Sequence, residues 1–237
     1  MSKIADLIEK MYGHHYTPQI MSNMTRVFTE EVKSFKARPL SDRYAAVYMD
    51  VTYIPLKRKT VAKEAIHIAI GISLDESKEV LSYAIAPTES TIIWKEILED
   101  FSSRGVKDVL LFIKDGLKGM GDTLHQVYPK ASFQHCCVHV SCNIGHKVRV
   151  QDRKEICEDF KTVYQAASKE EALEERSAFC DKWKGSYPEV AESIQNNENL
   201  LTFYAFLKAI WKSIYSTNLI EPFNKRIKSY SRKKGQF

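Results

Sequence analysis

The stretch Ala45–Leu56, AAVYMDVTYIPL, decides how the rest of the chain is read. It is dense in β-branched and aromatic residues, which suit a pleated, half-buried surface. Both of its faces are largely apolar, the pattern of a central strand covered on two sides. One residue breaks the run. Asp50 puts a carboxylate in mid-strand, where burial is costly without a proton, a partner or a metal. Taken alone, the stretch fits a satisfied core aspartate, or a turn in place of a strand, as well as it fits a functional carboxylate.

Downstream, Lys57–Lys59 reads as a turn and Ala65–Ser73 (AIHIAIGIS) as a second strand. A polar turn at 75–78 leads to a third, Val80–Ala86. Three strands joined by short turns predict an antiparallel meander. Pro87 stops it. Glu89–Arg104 then has Ile93, Ile97, Leu98 and Phe101 on one helical face and Gly105 at its end. Val109–Ile113 (VLLFI) is a short buried strand that delivers Lys114, Asp115 and Gly116 at its C-terminal end. In open α/β sheets ligands are met at that end. A polar helix is expected over Leu117–Tyr128, ended by Pro129, and a fifth strand over Ala131–Val140.

The period then changes. Ile156, Phe160, Val163 and Tyr164, then Leu200, Phe203, Tyr204 and Leu207, keep helical stripes, so 144–213 reads as an amphipathic helical insertion. Trp94, Trp183 and Trp211 sit on apolar helical faces and read as core. At the other end, Ser2–Tyr12 predicts a helix stopped by Gly13, and Thr17-Pro18 starts a second carrying Ile20, Met24, Val27 and Phe28. Two such helices make a helix-turn-helix or an ordinary helical hairpin equally well. Residues 36–43 read as a linker. The resulting divisions are 1–38, an N-terminal helical segment; 44–143, a core; 144–213, the insertion; and 214–237, a terminal helix with a basic tail.

At 237 residues the chain can bury one substantial core. Its net charge of +5 permits a polyanionic partner without demanding one. No apolar run approaches the roughly 20 residues of a membrane span, and the N-terminus lacks the apolar core of a secretory signal. Five cysteines, an odd set, argue against a disulfide framework and for a reducing cytoplasm.

Three carboxylates stand out: Asp50 in mid-strand, Asp115 at a strand end, and Glu221 in the first turn of the last helix. Paired divalent ions need hard oxygen ligands converging from rigid elements. Each residue also has an ordinary reading. Asp115-Gly116 is a common turn pair, and Glu221 follows Asn218 at capping-box spacing.

Four stretches occur together: MDVTYIPLKR around Asp50, IKDGLKGM around Asp115, QHCCVH at Gln134–His139, and STNLIEPFNKRIK at Ser216–Lys228. In this order, with a helical insertion before the last, they resemble the bacterial mutator-type transposases. The resemblance implies an α/β, ribonuclease-H-like mixed sheet with a helical insertion and a short N-terminal helical segment. It implies Asp50, Asp115 and Glu221 as catalytic ligands of two Mg2+ or Mn2+ ions. It also implies cleavage and strand transfer of double-stranded DNA at transposon ends and into a target. The partners would be that DNA and further copies of the chain, in the bacterial cytoplasm at the nucleoid. Pro222 directly follows the candidate glutamate, and against the family the chain is expected to be truncated at both ends. A non-catalytic DNA-binding remnant, and a ribonuclease-H-like nuclease acting on RNA or hybrid, are the alternatives.

Cys136 and His139 form C-x-x-H, with Cys142 and His146 nearby. One such pair is half of a usual zinc set; a structural role for His139 near the active site is the preferred reading. The final run KRIKSYSRKK carries Lys225, Arg226, Lys228, Arg232, Lys233 and Lys234 and no acid. Following Glu221, it suits salt-sensitive phosphate contact, although cations also suit a helix C-terminus.

Overall fold

A computed structural model describes residues 18–57 and 61–233. The helix expected over 2–12, its Gly13 stop, the Thr17 cap, most of the 57–59 turn and Lys234 lie outside the described residues, as do the side chains of Ile20, Met24 and Lys233. The described residues form two compact units, one ending at Leu40 and the other beginning at Ser41. The first holds helix α1 (Pro18–Ala37), on which Val27 and Phe28 are exposed.

The second unit is built on one sheet. Its strands are β1 (Arg43–Lys57), β2 (Val61–Ile72), β3 (Lys78–Ala86), β4 (Asp108–Lys114) and β5 (Ser132–His135), in the order β3-β2-β1-β4-β5. The β1–β2 and β2–β3 pairs are antiparallel; β1–β4 and β4–β5 are parallel. Helix α2 (Thr91–Ser103) connects β3 to β4, and α3 (Met120–Val127) connects β4 to β5. After β5 come α4 (Cys137–Lys147), α5 (Arg153–Gln165), α6 (Lys169–Trp183) and α7 (Pro188–Gln195). Two 3-10 turns, the short α8 (Trp211–Ile214) and the last helix α9 (Glu221–Lys233) complete the unit.

β1 is covered on both faces, as its composition requires. Ala46, Tyr48 and Ile54 belong to one buried cluster with Ile144 of α4, Phe160 of α5, Phe179 of α6 and Ile194 of α7. The opposite face meets α2. His67, which pairs with Val51 across the ladder, sets its ring edge-on against Trp94 of α2 at 5.1 Å. Trp94 and Trp183 are buried, and Trp211 packs against the cluster, so all three are core.

The stripe read as helical over Leu200–Leu207 folds instead as a 3-10 turn, Thr202–Ala205, with Leu207 exposed, and two further boundaries that bear on the site differ from the sequence reading. The strand expected over 131–140 ends at His135, and the chain turns into α4 at Cys137. Cys136 caps that helix, its sulfur accepting the His139 N–H at 3.5 Å. A short run that is apolar on every side has no periodicity to separate a buried strand from a buried helix. Cys136 and His139 therefore share one helical turn. The last helix begins at Glu221, and Asn218 lies ahead of it, with its N–H on Ser216 Oγ at 3.4 Å.

Gln134 and His135 pin the end of the insertion to the sheet. The fully buried Gln134 amide donates to the Leu200 carbonyl at 2.7 Å and accepts from the Phe203 N–H at 2.8 Å. Elsewhere in the sheet, Gly71 lies beneath the Tyr44 ring. A Cβ there would come within 2.7 Å of the ring and 2.9 Å of Leu81. Gly71→Ala is expected to destabilise the protein by about 1–3 kcal/mol through overpacking. Urea unfolding measures this, and an unchanged midpoint would show that Tyr44 moves aside freely.

Candidate active site

Strand pairing brings the two aspartates together. β1 and β4 run parallel with Met49 opposite Lys114, so Asp50 in β1 neighbours Asp115, the residue just past the end of β4. The first turn of α4 adds His139. One donor atom from each of Asp50, Asp115 and His139 lies within 4.8 Å of the others, and among the described residues this is the one such group. Asp50 is 9 % exposed. Its Oδ1 accepts the Val51 N–H at 2.9 Å, and its Oδ2 accepts from the Asn224 side chain on α9 at 2.6 Å. Burial pushes the Asp50 carboxyl up, while the His139 charge and the Val51 bond pull the other way. A buried carboxylate beside a second carboxylate and an imidazole is a donor set that fits a hard divalent cation.

The C-x-x-H pair is tied to the residues before α9. Cys136 Sγ accepts from the Thr217 N–H at 3.2 Å and from Thr217 Oγ1 at 3.4 Å, and that oxygen is 3.3 Å from His139 Nδ1. Burial alone would raise the Cys136 thiol. Hydrogen bonds from His139 and Thr217, with the His139 charge, outweigh it and bring it down. Hydrogen bonding to Cys136, against the cost of burial, lifts the His139 imidazole to about 9. Near neutral pH His139 is therefore an imidazolium beside two carboxylates. A divalent ion entering the group must displace that proton or the ring, so affinity falls as protons are added. The apparent affinity for Mn2+ is expected to rise from pH 7 to 9 and then level off. Calorimetry in two buffers of different ionisation enthalpy should register proton release. A flat profile without release would contradict the imidazolium assignment.

A second cation lies underneath. Lys114 is fully buried, and its ammonium donates to Asp115 Oδ1 and, at 2.5 Å, to Glu89 Oε1. Glu89 also accepts from the Trp94 indole at 3.1 Å.

Glu221 is placed differently. It stands in the first turn of α9, half exposed, with its carboxylate on Lys225 at 3.0 Å, and it is not in the group around Asp50. Asn224, one turn on, is the α9 residue that reaches Asp50. The outer face of α9 carries Lys225, Arg226, Lys228 and Arg232, all exposed, while Asn224 and Ser231 are buried and Ile227 packs on the core.

His139 stands near the two aspartates, as its motif suggested, and its side chain joins their group as a further donor. Asn224 and Lys114 were missed as site residues. The only signal for Asn224 was its spacing of one turn from Glu221; for Lys114 it was a lone cation closing an apolar strand.

The sheet order, with an antiparallel meander leading into parallel β4 and β5, defines a ribonuclease-H-like α/β protein. The sequence profile described as Transposase, Mutator family matches residues 1–237. The chain belongs to that family. It is 46% identical over 235 residues to the transposase for insertion sequence element IS905 of Lactococcus lactis, covering 99% of this chain and 60% of that protein. It is 47% identical over 236 residues to the transposase for IS1201 of Lactobacillus helveticus, covering 99% and 64%. The transposase for ISRM3 of Rhizobium meliloti is 30% identical over 233 residues, covering 97% and 58%. The chain thus spans about three-fifths of the length of these curated relatives. No helix among the described residues is long and apolar enough to cross a membrane.

Proposed function

We propose that this chain carries the catalytic core of a DNA transposase, performing metal-dependent cleavage and strand transfer at the ends of an insertion element. The observation that carries this is the meeting of Asp50, Asp115 and His139 within 4.8 Å, from two strands and a helix. Asp50 and Asp115 would hold Mg2+ or Mn2+, with Glu221 as the third acidic ligand of a two-ion site. When bound, divalent ions supply Lewis acidity for displacement at phosphorus. Asn224 and the Val51 N–H each hold one oxygen of the Asp50 carboxylate and so fix its position. Cys136 and Thr217 hold His139 in place and link α4 to the start of α9.

Glu221 precedes Asn224 by one turn, so it borders the helix face that already touches Asp50. Releasing its surface ion pair with Lys225 costs little, because such exposed pairs are worth roughly 0–1 kcal/mol. Lys225, Arg226, Lys228 and Arg232, with Lys233 and Lys234 beyond, would bind DNA phosphates without reading sequence. The divisions at 1–38, 44–143, 144–213 and 214–237 assign these roles along the chain, the first segment serving DNA binding. Acting on chromosomal DNA, the protein would work in the cytoplasm at the nucleoid, as a homo-oligomer that pairs two element ends.

The test is a nicking and joining assay in Mn2+ with duplex carrying the element's own end, beside an RNA–DNA hybrid of the same sequence. Nicked and joined DNA products support the proposal. Turnover of the hybrid alone would make the chain a ribonuclease-H-like nuclease. Salt-sensitive gel shifts without products would leave a DNA-binding remnant.

A further inference from the structure

Beside Asp115 a cleft of about 420 Å³ opens between α4, α7 and the segment 196–199. It reaches Gly116, the residue after Asp115, and it has His135 at the same end. Its size falls in the range of small-ligand sites. The segment is held rigidly: the Asn199 carbonyl accepts the His135 N–H at 2.9 Å, and Asn197 Oδ1 lies 2.7 Å from His135 Nδ1.

The lining has two characters. Half-buried Val140, with the edges of the nearly buried Ile144 and Ile194, gives it a small apolar floor. Asn143 and Asn196, both exposed, and half-buried Asn199 bring side-chain amides to its lining. Among the described residues that line it, Lys147 is the one lysine or arginine, and Glu198 supplies an opposite charge. A phosphate site would need convergent positive charge, which is missing here. A planar group with an apolar face and a donor–acceptor edge fits both characters, and that is the chemistry of a nucleobase. Side-chain amides match adenine best, through its N6 and N7. A base still paired and stacked in a duplex cannot enter such a cleft; an unstacked one can, as in enzymes that extrude a base into a pocket. Burial pushes the His135 imidazole down, keeping it neutral.

We propose that this cleft receives an extrahelical base of the DNA strand whose phosphate lies at Asp50 and Asp115. The proposal rests on the transposase reading for the identity of that strand, but base capture itself needs no chemistry. The probe is a duplex of the element's end with 2-aminopurine, a purine that reports unstacking and keeps N7 but not the N6 amino group, at each position flanking the cleaved bond in turn. Fluorescence is read with EDTA present, so cleavage does not intervene.

At one flanking position the signal should rise at least about threefold on binding, as unstacking relieves quenching. Ser193→Trp fills the cleft from an exposed helical position. It should return the signal to the duplex level while gel-shift affinity stays within about threefold, since phosphate contacts carry the affinity. If circular dichroism shows that variant misfolded, Asn143→Ala combined with Asn196→Ala reads the same contact. Absence of brightening at every position, or brightening undiminished in the folded variants, overturns the proposal. So does binding of free dAMP that responds to Ser193→Trp while the duplex gives no signal. Asp50→Asn separates the two readings: it should abolish cleavage and leave the fluorescence rise intact.

Discussion

Asp50→Asn is expected to lower Mn2+-dependent nicking by on the order of 10³-fold, with the fold intact. The change is nearly isosteric. The asparagine carbonyl can still accept one of the two bonds that Asp50 now receives, from Val51 at 2.9 Å or Asn224 at 2.6 Å. Burial disfavours the charged form of this residue, so removing the charge relieves a cost. The melting temperature without metal should therefore hold steady or rise slightly. What disappears is a hard anionic ligand at the centre of the group, and with it the stabilisation by Mn2+ that binding to the native state confers. Wild type should melt higher with MnCl2, and the variant should respond far less. Nicking within tenfold of wild type would remove Asp50 from the chemistry. Glu221→Gln makes a useful contrast. Glu221 stands outside the group, so its loss should reduce nicking strongly while altering the Mn2+-dependent melting shift less.

How much of this was legible beforehand depends on what each residue's neighbours in sequence reveal. β1 announced itself because both faces of 45–56 are apolar, and a carboxylate inside such a run is conspicuous. Asp115 followed from strand-end logic. The position of Glu221 at the head of the last helix was readable too, but its side-chain direction was not. That direction is set by Lys225 one turn on, a contact of the isolated surface. Residues 136–140 differ from the reading because so short a run, CCVHV, shows no periodicity that separates strand from helix, and only the cap at Cys136 decides it. Asn224 sits among cations in a helix that looks solvated, so its bond to Asp50 is visible only once α9 is docked on β1. Lys114 was the least legible of all. Lysine is among the residues least often fully buried, and nothing local distinguishes this one from a cation at a strand end.

Lys114→Met is expected to be the most destabilising of these changes, and the cation it deletes should be partly replaceable by a divalent ion. The ammonium is fully buried between Glu89 and Asp115, and 5.3 Å from the centre of the Trp94 ring. Methionine keeps the bulk and loses the charge. Removing one partner of a buried ion pair costs about 3–5 kcal/mol, because the other charge is left uncompensated. Glu89 and Asp115 have side chains 17% and 29% exposed, so water recovers some of that and the lower end applies. For a unit of this size, roughly 3 kcal/mol corresponds to a fall of about 6–12 °C in melting temperature. Three carboxylates, Glu89, Asp115 and Asp50, would then face His139 as their remaining nearby cation. Mn2+ bound at Asp115 restores positive charge where Lys114 had supplied it. The melting rise produced by MnCl2 should accordingly be larger in the variant than in wild type. An unchanged melting temperature would show that the ammonium contributes nothing net, as some buried pairs do. An equal Mn2+ shift in both proteins would show that it compensates Glu89 alone. A larger shift ties Lys114 to the group: in the absence of metal, its cation is what allows two aspartates to be held so close together.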